Sequence, residues 1–290
     1  MDDHGIGARD VSLDKLLACP RCHGGLRRDG DGLRCTADGC GFRAAVANGI
    51  VTALPERSGP SFFDSTFPVM IHGSDQPGPR RTFYEQQIAA LHERLPRTGV
   101  LLDVGCGPRI GYERGPGTVL VGLDMSYESL RHNADVDVRV HGSATALPLP
   151  SASVDAIVCF YSLHHFVGKT TADNERLVRA AFREFGRVLK PTGDLVVFEV
   201  APWVPVWNVQ TLAWNAVRRA LGSSFDMYFW GRQALTRLAG EELPPGTTLA
   251  YRAFRIPALT TFPPAFAVQW LKIPRVLYPF HLCMYHWRMA

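Results

Sequence analysis

The stretch VLLDVGCGPRIGYERGPGTVLVGLD, residues 100–124, constrains this chain more than any other. Val100, Leu101 and Leu102 form an apolar run that ends in Asp103, followed by a turn built on Gly105 and Gly107. A second apolar run, Thr118 to Leu123, ends in Asp124. Glycines at the tip of a first parallel strand expose bare backbone to a ligand, because no side chain intervenes. An acid at the tip of the second strand can accept hydrogen bonds from both hydroxyls of a ribose. The pairing predicts a nucleoside-containing cofactor. The spacing is D-x-G-x-G rather than the G-x-G-x-x-G of dinucleotide sites, with Arg109 and Ile110 where a third glycine would be sought. Gly111 makes spacing alone weak evidence, and a generic glycine-rich turn of an α/β enzyme competes with the cofactor reading.

Two later segments narrow the choice. HGSATALPLPSASVDAIVCFYSLHHF begins at His141, and REFGRVLKPTGDLVVFEV ends at Val200. LDVGCG and GLDMS resemble the first two motifs of class I S-adenosylmethionine-dependent methyltransferases. The segment from His141 is similar to that family's G-D-A-x-x-L-P-F-x-x-x-x-F-D-x-V block, and the last to its helix, Leu-Lys-Pro-x-Gly turn and fifth strand. The chain most resembles the quinone-biosynthesis-like, small-molecule branch, well over 100–200 and poorly elsewhere. The resemblance implies a Rossmann-like, doubly wound sheet of seven mostly parallel strands. It also implies that Asp103 holds the methionine end of the cofactor. Gly105, Cys106 and Gly107 form the turn beneath it, Asp124 and Met125 lie at the ribose, and Ser143 and Ala144 lie beside the adenine. Tyr161 falls at the end of the fourth strand. Ligands of such sheets sit at these carboxyl ends.

Two departures stand out. Ser143 replaces the acid that usually contacts the adenine amino group. Residues 108–117 hold two prolines and three glycines, a poor helix by propensity. A parallel crossover normally carries a helix, so an abbreviated one of a turn or two is expected.

Four of the seven cysteines, Cys19, Cys22, Cys35 and Cys40, lie within the first forty residues, as CPRC and CTADGC around a Gly/Asp-rich hairpin. This spacing fits a tetrahedral Cys₄ zinc site, structural because four thiolates leave no open position. So short a segment has too little core to fold without metal. It resembles the zinc ribbons of some RNA methyltransferases and of the small activator subunit of tRNA methyltransferases. Asn48-Gly49-Ile50-Val51 stands in place of their Gly-Ile-Pro-like strand.

Three segments follow: a zinc ribbon over 1–55, a linker over 56–81 that packs on the core, and a methyltransferase domain over 82–290. Thr82 to Leu95 reads as a helix whose Tyr84 is a candidate cofactor contact. The expected roof over the substrate, about 201–280, is rich in aromatics, among them Trp203, Trp207, Trp214 and Trp230. These suit an apolar or flat substrate, filling of the core, or peripheral contact with a membrane. The last strand is expected near Met284 to Met289. A net charge of +4 is too small to argue for nucleic acid by itself. The polar, acidic N-terminus and the lack of a long apolar run predict a cytoplasmic protein with reduced thiols.

Methyl transfer to a hydroxyl or an acidic carbon calls for a base. His164 and His165, after the fourth strand, are the candidates, for catalysis or for orienting substrate; Glu199, at the end of the fifth, is another. The expected function is methyl transfer from S-adenosylmethionine to a small aromatic or lipid-like acceptor. An alternative is an RNA methyltransferase whose ribbon arginines (Arg21, Arg27, Arg28, Arg34, Arg43) track phosphate. A third reading is a relative that binds the cofactor without turnover.

Overall fold

A computed structural model describes residues 12–54, 80–222, 226–256, 259–261 and 272–290. The linker expected over 56–81 lies almost wholly outside these residues, and so do the side chain of Tyr84 and most of 257–271.

The chain opens with an antiparallel ribbon of four strands, β1 (Leu26–Asp29), β2 (Gly32–Cys35), β3 (Arg43–Ala47) and β4 (Ile50–Thr52). Next come β5 (Thr98–Val104), β6 (Gly117–Asp124), β7 (Val138–His141), β8 (Val154–Phe160) and β9 (Leu189–Pro202). In space β5 is central, flanked by β6 and β8 with β7 and β9 beyond them, all parallel. After β10 (Thr248–Phe254), β11 (Leu259–Thr261) and β12 (Lys272–Pro274) pair with each other, apart from the main sheet among the described residues. β13 (Phe280–Arg288) pairs antiparallel with β9, and β10 pairs antiparallel with β13. The seven strands β5–β10 and β13 fit the expected sheet. The ribbon corrects it. β4 pairs parallel with β7, Ile50 opposite Arg139 and Thr52 opposite His141. One eleven-stranded sheet results, in the order β1-β2-β3-β4-β7-β6-β5-β8-β9-β13-β10. It exceeds seven strands because the cysteine ribbon is added to it.

The central strands are near-continuous apolar runs because helices cover both faces. Leu101, Leu102, Ile157, Val158, Val196 and Val197 are fully buried. One core cluster runs from Leu17, Leu26 and Leu33 in the ribbon to Phe182, Phe185 and Tyr285, so the ribbon and the rest of the sheet bury their apolar residues together. Backbone bonds join them as well: Ala18 N–H donates to Pro148 O at 3.0 Å and Ala53 N–H to His141 O at 2.8 Å.

Short α1 (Leu13–Leu16) opens the ribbon, and α2 (Arg80–His92) precedes β5, starting two residues before the expected helix. A Ser126 hydroxyl caps α3 (Tyr127–His132) by accepting from Ser129 N–H. α4 (Thr171–Val188) opens with a reciprocal capping box between Thr170 and Asp173 and buries Val178, Phe182 and Phe185 at helical spacing. α5 (Val204–Leu221) and α6 (Arg232–Glu242) follow β9. The abbreviated helix expected between β5 and β6 is absent; Pro108 to Pro116 is an irregular loop. Prolines and glycines disfavour helix there, and Gly115 lies where a Cβ would meet the Arg97 backbone at 2.6 Å. The last strand begins four residues earlier than expected, because Phe280 to Cys283 continue the ladder with β9.

Candidate active site

The carboxyl ends of β5, β6 and β8 bring most of the expected cofactor residues together. Gly105 and Gly107 adopt φ of +72° and +59°, which only glycine takes without strain. Gly105 is also tight: a Cβ there would lie 2.0 Å from Ser162 Oγ. Gly105→Ala is therefore expected to lower thermal stability by at least about 2 kcal/mol, from strained φ plus the clash. Gly111, with open space around it, should tolerate alanine. Melting curves of the two variants check this.

The turn is tied to the second strand through Asp124. Its carboxylate accepts from Gly107 N–H at 2.8 Å and Ser126 N–H at 2.7 Å. Asn133 Nδ2 donates to Gly107 O at 2.8 Å, and Ile110 N–H donates to Asp135 at 2.8 Å. Cys106 turns its buried side chain into a small cluster with Ile50 and Leu130, so it offers the site backbone only. Met125 is exposed and Ala144 buried. Ser143 Oγ is engaged by Thr145, through its hydroxyl at 2.8 Å and its N–H at 3.2 Å.

Asp103 is the most perturbed acid here. It is buried, and burial pushes its carboxyl up to about 7. The Tyr112 hydroxyl, in the loop that replaces the first helix, donates to its Oδ2 at 2.5 Å. No arginine or lysine among the described residues pairs with it. A buried carboxylate with no cation beside a glycine turn suits a cationic amino group, so the residues fit S-adenosylmethionine. Tyr112 has no signal in the sequence, because its loop reads only as a poor helix.

Tyr161 has φ +54°, strained for an aromatic residue. Its hydroxyl donates to Oε1 of fully buried Gln87 at 2.7 Å, linking α2 to the end of β8. Gln87 is a second residue that no sequence motif singles out. Beyond Tyr161, a short 3₁₀ turn, Leu163–His165, carries the paired histidines. His164 Nδ1 lies 2.9 Å from Glu199 Oε2, and its N–H donates to Glu199 Oε1 at 3.2 Å. Both side chains are buried, and His164 stacks on Phe229. His165 differs. Its Nδ1 meets the Asp226 carbonyl at 2.8 Å, and burial pushes its imidazole down to about 3, so it is neutral. Several of the roof aromatics fill the core, among them Trp214, Tyr228 and Trp230, which are buried.

In the ribbon, the Sγ atoms of Cys19, Cys22, Cys35 and Cys40 all lie within 4.8 Å of one another. The Cys19–Cys40 and Cys22–Cys35 separations are 3.6 and 3.4 Å. Tetrahedral Zn–S bonds of about 2.3 Å would set the sulfurs about 3.8 Å apart, so the donor set fits zinc with little adjustment.

Residues 102–197 match the family model described as "Methyltransferase domain". A tRNA (carboxymethyluridine(34)-5-O)-methyltransferase of Arabidopsis thaliana is 30% identical over 112 residues, 38% of this chain and 26% of that protein. The chain thus spans about a quarter of that relative's length. Among solved structures, the YcgJ protein of Bacillus subtilis is 19% identical with a TM-score of 0.47, over 71% of this chain and 98% of that one. A chain from the Haloferax volcanii complex that contains the Trm112 methyltransferase activator is 21% identical with a TM-score of 0.46, covering 79% and 98%. Phosphoethanolamine N-methyltransferase 2 of Haemonchus contortus, solved with S-adenosyl-L-methionine, is 14% identical with a TM-score of 0.47, covering 71% and 52%. Residues 102–197 thus match a methyltransferase domain, and the match spans the glycine turn and both flanking acids, Asp103 and Asp124.

Proposed function

We propose that the protein transfers the methyl group of S-adenosylmethionine to a small aromatic or lipid-like acceptor, and that His164 takes the acceptor's proton. The observation that carries this reading is the apolar cluster against which Tyr112, the hydrogen-bond partner of Asp103, packs. Tyr112, Phe160 and Tyr161 are partly buried against a cluster containing Phe198, Phe229 and Phe280. Rings of this kind bury flat or aliphatic groups well.

When bound, the cofactor supplies an electrophilic methyl group on sulfur. The chain's own residues do the rest. Asp103 pairs with the amino group, and the Gly105–Gly107 backbone lets the ligand lie close. Asp124 accepts from ribose hydroxyls. Glu199, fully buried, accepts the Nδ1 proton of His164 and so leaves Nε2 as the basic nitrogen. Glu199 is the positioning residue and His164 the base. Glu199→Gln is expected to lower kcat by about 10²-fold, the scale on which a positioned base acts, with the dissociation constant for S-adenosylmethionine unchanged. Unchanged kcat with a labelled-methyl acceptor would remove His164 from the reaction.

A second reading rests on a different observation. Arg27 lies opposite Arg34, and Arg34 opposite Arg43, in cross-strand register on one exposed face of the ribbon. Like charges so placed repel. Of these three, only Arg43 has an acid partner among the described residues, Asp29. Such a row suits an RNA backbone and accords with the tRNA-modifying relative. Salt-dependent binding of tRNA, lost in Arg27→Ala/Arg34→Ala, would favour it.

A further inference from the structure

The second half of the molecule has a surface that neither the cofactor site nor the ribbon uses. α5 buries only Trp214 fully, and the opposite side of the helix is apolar in water: Val204 is 63% exposed, Val209 66% and Leu212 86%. Trp203 N–H donates to Pro279 O at 2.9 Å and its ring packs on His281 at 6.4 Å. These contacts bring the turn Arg275–Leu277 to the start of the helix, with Val276 78% and Leu277 66% exposed. The patch begins where β9 ends, at the carboxyl side of the sheet that carries the cofactor residues.

Charge separates the possible occupants. Residues 200–290 contain nine Arg and Lys against three Asp and Glu, while the preceding part of the chain is slightly acidic. All three acids are already paired: Asp226 with Arg218, and Glu241 and Glu242 with arginines of α4 and α6. No acid occurs after Glu242. Exposed Arg219 continues the apolar side of α5, and exposed Arg275 adjoins Val276. A second copy of the chain would bring the same positive charge against itself. A bilayer with anionic headgroups meets both halves of the pattern, since apolar side chains enter the acyl boundary and arginines face the phosphates. No helix among the described residues is long and apolar enough to cross a membrane.

We propose that this face docks the protein peripherally on anionic lipid bilayers, with Trp203, Val209, Leu212, Val276 and Leu277 at the surface, so that the mouth of the site opens toward membrane-dissolved acceptors. The proposal rests on the lipid-like reading of the acceptor, but its test does not pass through catalysis. The whole, zinc-loaded chain is sedimented with vesicles of phosphatidylcholine containing 30% phosphatidylglycerol, and with pure phosphatidylcholine vesicles. Strong binding to the first, at least tenfold weaker binding to the second, and weakening in high salt are expected. Val209→Glu/Leu212→Glu and, separately, Val276→Glu/Leu277→Glu should each reduce partitioning at least tenfold. Their melting curves and calorimetric affinity for S-adenosylmethionine should stay unchanged, which separates this test from that of the methyltransferase reading. Wild-type protein left in the supernatant, or folded variants that still sediment, overturns the proposal. A dimer in analytical ultracentrifugation that these same variants dissociate would also overturn it, by assigning the face to a second copy.

Discussion

At pH 8, Asp103→Asn is expected to raise the melting temperature of the cofactor-free protein while abolishing its binding of S-adenosylmethionine. Burial lifts the Asp103 carboxyl to about 7 in the folded chain, against an ordinary value near 3.8. With the folded value raised, the group's contribution to stability is fully present below its ordinary value and is lost as pH rises through about 7. Above that, the folded chain carries an ionised, buried carboxylate at a cost on the order of 4 kcal/mol. Asparagine has no charge to bury and still accepts from the Tyr112 hydroxyl, so the cost disappears. The same change removes the partner of the cofactor's amino group. In the wild type, affinity should fall as pH is lowered from 7.5 to 5.5, approaching tenfold per unit, because the proton and the ligand's cation compete for one carboxylate. The variant should show no such slope. Scanning calorimetry and titration calorimetry check the two halves, and an Asp103→Asn variant less stable than wild type at pH 8 would overturn the account.

Removing the metal is expected to have the other large effect. Structural zinc contributes about 10–16 kcal/mol to the folding of small Cys₄-type modules, and a ribbon this short has few buried residues to replace it. Here the loss should not stop at the ribbon. β4 is hydrogen-bonded to β7, whose His141 lies opposite Asp124 of β6. Ala18 holds Pro148, in the loop that follows Ser143 and Ala144. Chelation, or Cys19→Ser/Cys35→Ser, is expected to release one zinc per chain and lower the melting temperature by more than about 10 °C, far beyond the 2–4 °C per kcal/mol of a minor defect. Affinity for S-adenosylmethionine should weaken at least tenfold. Metal analysis, melting and calorimetry on one sample settle it: unchanged affinity after complete zinc loss would show that the ribbon and the cofactor pocket are independent.

The parts of this fold visible in the sequence are those that local chemistry dictates. β5 and β6 announce themselves as apolar runs ending in acids, and the glycine turn between them has a spacing that few other structures need. The four cysteines are equally explicit. What the sequence conceals is pairing at a distance. Ile50-Val51-Thr52 is too short to declare its partner, and nothing in it points to Val138–His141. His164 and Glu199 are separate candidates in the sequence, 35 residues apart, and only the adjacency of β8 and β9 joins them. The loop at Tyr112 misleads in the opposite sense. Its prolines and glycines suggest a weak helix, while its use, closing the first crossover and supplying a hydroxyl to Asp103, depends on packing rather than propensity.

The pairing of β4 with β7 has one more consequence. Without the ribbon, β7 would present a row of unsatisfied N–H and C=O groups, an edge strand able to recruit the same segment of another molecule. The ribbon moves that boundary outward to β1, whose Leu26–Asp29 sequence puts Arg27, Arg28 and Asp29 in solvent. Charged side chains on an outermost strand discourage such pairing. The cysteine module thus also acts as a solubility device, and protein stripped of zinc should fail first by aggregation through Val138–His141.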